Sequence, residues 1–464
     1  MSDRILRSLH DHCLGTTESE LDFLVKAFVF AEAYQDVLYA PFHSPLILIG
    51  RKGTGKTALL KYLDLKSASS GIITLYLKPD DMPLLEGIGD AKETATIKRK
   101  AYQALISSLA VKVGTNIRGL LGRKEKKLFD KAVVEGARTH DAVQACMHGL
   151  SKFGSVVTSI DFSKLLPAGE NLKSTALLNS LQTNFEKSNT ALFLLLDDID
   201  QVASIQDREQ INRIWRFMLA AKRLTEELPN MKTIISLRTE IWTLIERDES
   251  GQRDQIDHIR QLLRRLDPSE EIIKEIVLRR LRVVARKHNL PTDNSIFREF
   301  FTSPKVILPT SKDQKRYWED YITKSSRGRP RDAIQLLGLL AKESISQRQT
   351  RISQDAVNSA AEKYSEQRVN DLTREYTLDC PVVREIINSL ASLDFILTTN
   401  SVLNHLMSLP TRFSVNIRGN TIHQDNRDDI FKLWKFMHEM GLINPRIPDK
   451  REFKVKKLRS SQTV

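Results

Sequence analysis

The chain of 464 residues is poor in cysteine, in aromatic residues and in long apolar runs. Its three cysteines, Cys13, Cys146 and Cys380, lie far apart, which argues against a disulfide framework or a zinc ribbon and suits a reducing compartment. No run approaches the ~18 consecutive apolar residues of a membrane span, and the first residues lack a signal-peptide pattern. The sequence therefore predicts a cytoplasmic protein without a membrane segment.

The remaining composition is that of a globular protein with several domains, because one domain takes roughly 150 residues. Hydrophobic residues make up 41% and charged residues 28% of the chain, and the net charge of +13 permits contact with a polyanion without demonstrating it. Composition and motifs predict four parts: an N-terminal helical segment at 1–44, a core at 45–255 with a helical insertion at about 83–188, a helical region at 256–370, and a C-terminal domain at 371–464.

A short apolar run, Leu46–Ile49, precedes a glycine-rich loop and a stretch of helical composition. Closely spaced glycines let backbone N–H groups point at phosphates, a lysine adds a point charge, and a threonine hydroxyl binds Mg²⁺. This order of strand, loop and helix predicts a P-loop that binds ATP. Its predicted nucleotide-binding residues are Gly50, Lys52, Gly53, Thr54, Gly55, Lys56, Thr57 and Ala58.

Further apolar, β-branched runs at 71–77, 191–196 and 233–237 alternate with helical stretches. Strands that alternate with helices predict an α/β fold with a parallel sheet, here a P-loop NTPase core with a helical lid. One of these runs ends in Asp197 and Asp198, beside the predicted loop. We expect Asp197, with Thr57, to bind Mg²⁺ and Asp198 to orient the attacking water, whereas Asp200 is a surface or supporting acid.

Two arginines, Arg238 and Arg331, are candidates for contact with the terminal phosphate. Together with Lys56 and Asp198 they form the predicted set of catalytic residues. Arg238 ends the strand at 233–237, and Ser236 is a weaker candidate on the same strand. Arg331 opens a helix of the predicted lid and is preferred to Arg329. For both arginines the alternative is an ordinary solvated charge.

The C-terminal part contains three candidate helices, 381–393, 401–409 and 428–440, followed by a hairpin signal around 448–450. Three helices followed by a hairpin are typical of a winged helix. The end of the chain is basic, with Arg446, Lys450, Arg451, Lys454, Lys456, Lys457 and Arg459. Such a wing suits nonspecific DNA or RNA contact, but the mixed charge of the third helix is poor for reading bases. The alternative is that this domain docks to a partner protein or packs within the chain.

Taken together, these motifs resemble the STAND and origin-recognition-initiator branch of the AAA+ ATPases. The segments Leu14–Glu20 and Gly50–Ala58 also look like a bacterial group of P-loop ATPases often associated with phage-defence loci. The resemblance implies Walker A roles for Lys56 and Thr57, and Walker B roles for Asp197 and Asp198. It implies sensor roles for Arg238 and Arg331 and a homo-oligomer as one form of the protein.

The chain departs from most AAA+ enzymes in having Asp198 where they have glutamate. Aspartate is one methylene shorter, so it reaches the lytic water less well, and slow or partner-stimulated hydrolysis is expected. Three functions are consistent with the sequence. The first is an ATP-driven switch that controls a protein effector, as in defence against phage. The second is a DNA-acting initiator or remodelling ATPase, and the third is a nucleotide-binding scaffold without turnover.

Overall fold

The computed structural model describes residues 3–15, 21–30, 34–39, 42–70, 72–79, 94–116, 127–128, 131, 174–188, 191–202, 208–228, 230–247, 253–293, 295–309, 314–377, 379–394, 396–443, 446–448 and 453–455. The chain divides into two units. The first comprises Asp3–Phe300 and Tyr317–Gly338, and the second comprises Phe301–Arg316 and Leu339–Val464. No described helix is long and apolar enough to cross a membrane. The four-part division proposed from the sequence stays a prediction.

The first unit is built on a sheet of five parallel strands. The strands are β1 Leu46–Gly50, β2 Ile73–Leu77, β3 Leu192–Leu196, β4 Met231–Arg238 and β5 Leu263–Arg265, in the order β2-β3-β4-β1-β5. Strands β1 and β3 are buried along their whole length, as their continuous apolar sequences predict. The predicted parallel α/β class is thus confirmed. Because β4 lies between β1 and β3, the three strands that carry the motifs end side by side.

Helices surround this sheet. Those of the first unit, with one that continues into the second, are α1 Asp3–Asp11, α2 Leu21–Ala27, α3 Gln35–Leu38, α4 Lys56–Ser69, α5 Thr94–Asn116, α6 Ser174–Ser188, α7 Arg208–Glu227, α8 Thr239–Arg247, α9 Arg253–Arg260, α10 Glu270–Lys287, α11 Ile296–Phe300, α12 Trp318–Ser325 and α13 Pro330–Ser346. A 3₁₀ turn, Ile199–Val202, follows β3. Pro330 is the first residue of α13, where a missing N–H costs nothing.

The hydrophobic core of the first unit includes two helices from the segment 83–188, which the sequence predicts to be an insertion. Helix α5 contributes Leu105 and Leu109, and α6 contributes Phe185, all fully buried. They pack with Trp215 of α7 and Trp242 of α8 in one cluster that also contains residues of the sheet. The described helices of 83–188 therefore belong to the core that supports the sheet.

Three short strands lie where the sequence predicts helix or loop. Strand β5 falls within 256–300, and β6 Lys305–Ile307 pairs with β7 Lys315–Tyr317. Each has three residues, and β5 reads Leu-Arg-Arg, so neither length nor alternation gives a signal. Strand β5 lies in the region 256–370 that the sequence predicts to be helical. It was missed because an edge strand is specified by pairing with β1 rather than by its own composition.

The second unit contains α14 Gln354–Tyr376, α15 Val383–Ser389, α16 Thr399–Arg412 and α17 Arg427–Glu439, together with hairpins β8 Asn416–Ile417 with β9 Asn420–Thr421 and β10 Arg446–Pro448 with β11 Phe453–Val455. Side chains of Thr398 and Asn426 cap α16 and α17. The three predicted helices and the terminal hairpin are confirmed. The β8–β9 hairpin was not predicted; it turns through Arg418 and Gly419, both with positive φ.

Candidate functional site

The loop after β1 has the backbone of a phosphate cradle. Gly53 and Gly55 have φ values of +84° and +100°, which residues with a Cβ rarely adopt. At Gly50 a Cβ would lie 2.7 Å from Thr54 Oγ1 and 2.9 Å from the carbonyl oxygen of Leu266, so the site admits only glycine. Helix α4 begins at Lys56, and its N-terminus therefore faces the loop. These features are those of an anion-binding turn.

Lys56 is folded against this loop. Its Nζ donates to the carbonyl oxygens of Gly50 at 2.7 Å and of Arg51 at 3.2 Å, and the side chain is buried. Burial lowers the pKa of Lys56, and the carboxylates of Asp200, Glu240 and Asp197 oppose that shift. The ammonium group thus lies close to the loop and among acidic residues. Glu240, in the first turn of α8, has no signal in the sequence that singles it out.

Asp197, the first acid after β3, is held by two hydroxyl groups. Tyr76 Oη donates to Oδ2 at 2.7 Å, and Ser236 Oγ donates to Oδ1 at 2.5 Å. The carboxylate is fully buried. Both oxygens are thereby fixed in position, as metal ligands usually are by the groups around them. Tyr76 lies on the neighbouring strand β2 and was missed by sequence reasoning, because its pairing with Asp197 depends on sheet order.

Asp198 has a left-handed backbone, with φ of +50°, and its N–H donates to Ser236 Oγ at 3.1 Å. Ser236 therefore connects both acids of the pair. Burial raises the pKa of Asp198 to about 6, and the nearby charges of Asp197 and Asp200 add to the effect. The role of Ser236 in this structure is to hold the acids, whereas the sequence suggested it as a weaker phosphate sensor.

Arg238, at the end of β4, pairs with Asp200. Arg238 Nε lies 2.7 Å from Asp200 Oδ2, and the side chains are 26% and 3% exposed. Asp200 belongs to the 3₁₀ turn after β3 and is buried, so it is not the surface acid that the sequence allowed. The register of β1 and β4 places Arg238 directly opposite Gly50. The arginine is thereby brought to the start of the P-loop.

Arg331 reaches the same loop from α13. Its backbone N–H donates to the carbonyl oxygen of Gly53 at 3.3 Å, and a Cβ added to Gly53 would meet Arg331 Nε at 3.3 Å. Nε also contacts Asp332 Oδ1 at 3.3 Å. Arg331 Nη2 is buried without a hydrogen-bond partner among the residues that the structure describes. Arg329, the less favoured candidate, does not line the cavity described next.

One cavity of about 420 Å³ collects most of the predicted residues. It is lined by Lys52, Gly53, Thr54, Gly55, Lys56, Thr57, Ala58, Asp198, Arg238 and Arg331, whereas Gly50 and Asp197 do not line it. Its other side is mainly apolar, with Leu24, Phe28, Tyr34, Ile276 and Ile334. The N-terminal helices and α10 supply much of that wall, which sequence reasoning did not foresee. The cavity has the size and mixed lining of a site for a small organic anion.

The residues present fit a nucleoside triphosphate with Mg²⁺. The glycine cradle and the buried, unpartnered Nη2 of Arg331 suit phosphate oxygens, and the apolar wall suits a base. Thr57 lines the cavity, whereas Asp197 is buried beside it. The two would hold Mg²⁺, Asp197 through water, and the ion would neutralise charge on the phosphates. In the described part of the chain no three histidine, cysteine or acidic side chains form a metal cluster. Mg²⁺ in phosphate sites is commonly held by one or two carboxylates with phosphate and water.

The predicted basic wing lies mainly outside the described side chains. In the backbone of the terminal hairpin, Arg446 pairs with Val455 and Lys454 pairs with Ile447. The other basic residues of the wing lie outside the described residues: Lys450, Arg451, Lys456, Lys457 and Arg459. The third helix, α17, carries exposed Arg427, Asp428 and Lys435. Nucleic-acid contact through the wing therefore stays a prediction.

Comparison with known proteins gives one match to a family model, the FunZ-associated C-terminal helical domain, over residues 271–373. No curated protein matches the chain. Among solved structures, the chain is similar to the ORC2 protein of Aeropyrum pernix in ADPNP-ADP complexes, with 13% identity and a TM-score of 0.42 over 95% of this chain and 89% of that one.

The ADP form of the Aeropyrum pernix ORC2 protein has 12% identity and a TM-score of 0.35, and covers 91% of this chain and 86% of that one. The Drosophila ORC bound to DNA has 13% identity and a TM-score of 0.34, and covers 94% of this chain and 92% of that one. Similarities of this size carry no functional argument. The candidate site therefore stands on its own geometry.

Proposed function

We propose that this chain binds ATP with Mg²⁺ and hydrolyses it slowly, as a switch of the AAA+ and STAND type. The observation that carries the proposal is the meeting of four elements at one cavity. The P-loop, Asp198 after β3, Arg238 at the end of β4 and Arg331 of α13 all line it. Each group comes from a different part of the sequence. The loop, Arg238 and Arg331 supply donors and positive charge for the phosphates of a nucleoside triphosphate, and Asp198 supplies a carboxylate for the attacking water.

The residues divide the work by position. Backbone N–H groups of the loop and the Lys56 ammonium bind phosphate oxygens, while Thr57 and Asp197 would hold Mg²⁺. Asp198 orients water, and Arg238 approaches the terminal phosphate from the end of β4. Arg331 contacts the loop through Gly53, so phosphate binding there reports directly to α13. The lid helix α13 is therefore the element whose position the nucleotide controls.

The short side chain of Asp198 favours slow turnover. It is one methylene shorter than glutamate, so it reaches the attacking water less well. Slow hydrolysis suits a switch, because the ATP-bound state then persists long enough to act on a partner.

The partner is proposed to be a protein effector. The support is the resemblance of Leu14–Glu20 and Gly50–Ala58 to ATPases of phage-defence loci, which also motivates a defence role. An assembly of several copies belongs to the same proposal. A cytoplasmic location is supported by the cysteines, since Cys13 and Cys380 are both buried and neither forms a disulfide.

The test measures ATP binding by calorimetry and phosphate release for wild type, Lys56→Ala and Asp198→Ala, each with and without duplex DNA. We expect Lys56→Ala to lose binding and Asp198→Ala to bind ATP without turnover. Lys66→Ala, an exposed lysine on the same helix, is the matched control and should behave as wild type. Normal ATP binding by Lys56→Ala would refute the proposal.

The same measurements separate the alternative functions. Turnover without DNA supports the effector switch, and strong stimulation by duplex DNA supports the DNA-acting ATPase. Binding without turnover in every arm, including wild type, leaves the scaffold. The scaffold differs from the other two functions in having no turnover, and the DNA-acting ATPase differs from the switch in its response to duplex DNA. One assay therefore distinguishes all three.

A further inference from the structure

Asp200 is a buried acid to which the proposed mechanism gives no task. It lies two residues after Asp198, in the 3₁₀ turn Ile199–Val202, and is 4% exposed. Its Oδ2 lies 2.7 Å from Arg238 Nε. Its Oδ1 is buried and has no hydrogen-bond partner among the described residues. Burying a carboxylate with only one of its oxygens paired costs free energy. The groups that Asp200 faces therefore indicate why an acid occupies this position.

The pairing leaves the working end of Arg238 available. Asp200 contacts Nε, the nitrogen nearest the side-chain stem, whereas Nη1 and Nη2 lie farther out on the guanidinium. Arg238 lines the cavity, and its strand position is opposite Gly50. The guanidinium is thus fixed at its base while its outer nitrogens remain for a ligand. A free arginine would lose rotamer entropy on being ordered, and the ion pair removes part of that cost in advance.

Asp200 also faces the other cation of the site. Three acids raise the pKa of Lys56 by their negative charge, and Asp200 has the largest effect, ahead of Glu240 and Asp197. One buried carboxylate therefore lies near both Lys56 and Arg238, the two cations that flank the start of the P-loop. Among the described residues only Arg238 lies within ion-pairing distance of Asp200, whereas the Lys56 ammonium is held by the carbonyl oxygens of Gly50 and Arg51. Asp200 therefore orients Arg238, and this role requires no contact with the nucleotide itself.

We propose that Asp200 is the positioning residue of Arg238, and that through it the site prefers ATP over ADP. The proposal rests on the proposed function. The pair orients the outer nitrogens of Arg238 toward the terminal phosphate, which ADP lacks. Loss of the pair lets the arginine swing toward solvent, so the affinity for ATP falls while that for ADP is unchanged.

The experiment measures the dissociation constants of ADP and of a non-hydrolysable ATP analogue, both with Mg²⁺, by calorimetry on the full chain. For wild type the ADP-to-analogue ratio should exceed one, and Asp200→Asn should lower it about tenfold, as expected for one charged hydrogen bond. Arg238→Ala should lower the ratio to the same extent. In the double variant we expect no further fall, because Asp200 acts only through Arg238.

Asp257→Asn is the control, since Asp257 also pairs with an arginine, Arg260, but is 73% exposed. It should leave the ratio unchanged. If Asp200→Asn does not fold, as judged by thermal unfolding, Arg238→Lys replaces it. Lysine keeps the positive charge but has a single side-chain nitrogen, which cannot pair with Asp200 and reach phosphate at the same time. The ratio for Arg238→Lys should therefore match that of Arg238→Ala.

Several outcomes would overturn the inference. They are a wild-type ratio near one, an unchanged ratio in Asp200→Asn, a wild-type ratio in Arg238→Lys, or a further fall in the double variant. Lys56→Ala separates this result from the proposed function. If Lys56→Ala abolishes binding while Asp200→Asn keeps the wild-type ratio, only the role of Asp200 fails. If Lys56→Ala binds both nucleotides normally, the proposed function fails as well.

Discussion

The backbone N–H of Arg331 donates to the carbonyl oxygen of Gly53 at 3.3 Å, which joins the first helical turn of α13 to the middle of the P-loop. The contact is close enough that the missing Cβ of Gly53 matters, because Arg331 Nε and Cβ lie 3.3 and 3.4 Å from where it would be. A change in the loop at Gly53 would therefore act directly on Arg331. Under the proposed function, this contact links a bound nucleotide to α13.

The first prediction concerns this contact. Gly53→Ala introduces a Cβ at a φ of +84°, which costs roughly 1–2 kcal/mol, and also pushes on Arg331. We expect ATP affinity, measured by calorimetry, to fall at least about tenfold. Gly419→Ala is the matched control: its φ is +81°, but no atom lies within 4 Å of the added Cβ. It should lower stability by a similar amount and leave ATP affinity unchanged; equal affinities for the two variants would contradict the prediction.

The second prediction concerns Tyr76 and its hydrogen bond to Asp197. Tyr76→Phe removes the hydroxyl that holds Oδ2 and leaves the Ser236 contact in place. We expect the Mg²⁺-dependent part of ATP affinity to fall by roughly 10-fold, as for other groups that orient metal ligands. Affinity measured in EDTA should not change. Tyr39→Phe, at a 78% exposed tyrosine, is the control; an equal loss with and without Mg²⁺ would show that Tyr76 acts on the fold instead.

Much of the phosphate end of the site could be predicted from the sequence, because its determinants are local. Gly53, Gly55 and Lys56 form one continuous motif after an apolar strand. Asp197 and Asp198 directly follow another apolar strand, β3. Parallel strands end at the same edge of a sheet, so these motifs had to meet once the strand order was right. Arg331 is different: its place at the start of a helix made it a candidate for phosphate contact, but no local pattern predicts that this helix reaches Gly53.

The rest of the site depends on packing that no local pattern encodes. The apolar wall formed by Leu24, Phe28 and Ile276 joins residues some 250 positions apart, and an apolar residue on a helix usually indicates core. The Asp200–Arg238 pair was missed for a similar reason. An acid two residues beyond a motif is normally solvated, and only the 3₁₀ turn after β3 carries it inward.

A third prediction addresses the stability of the second unit. Arg418 Nη2 lies 3.1 Å from Asp379 Oδ2 and 3.2 Å from Glu439 Oε2, with all three side chains largely buried. Arg418→Met leaves two acids without their cation, so the free energy of unfolding should fall by roughly 1–3 kcal/mol, less than for a fully buried pair. Arg384→Met, whose partner is Asn370, should cost below about 0.5 kcal/mol. Denaturant unfolding measures both, and equal costs would contradict the prediction.

The last prediction concerns the pH dependence that Asp198 brings to the nucleotide-free and metal-free protein. Its pKa, raised to about 6 chiefly by burial, exceeds the ordinary value of 3.8, so the folded protein holds this proton more tightly than the unfolded chain. Asp198 therefore contributes stability that is fully present below pH 3.8 and is lost as the pH rises through about 6.

Asp198→Asn removes this titration, and asparagine tolerates the left-handed backbone that Asp198 adopts. The free energy of unfolding of the variant should exceed that of wild type by an amount that grows between pH 4 and 7. The growth should be about 1–2 kcal/mol, after a discount for partial exposure. Chemical denaturation in EDTA at several pH values measures it, with Asp257→Asn as the control. A difference that stays constant with pH would mean that Asp198 titrates as an ordinary aspartate, and the prediction would be wrong.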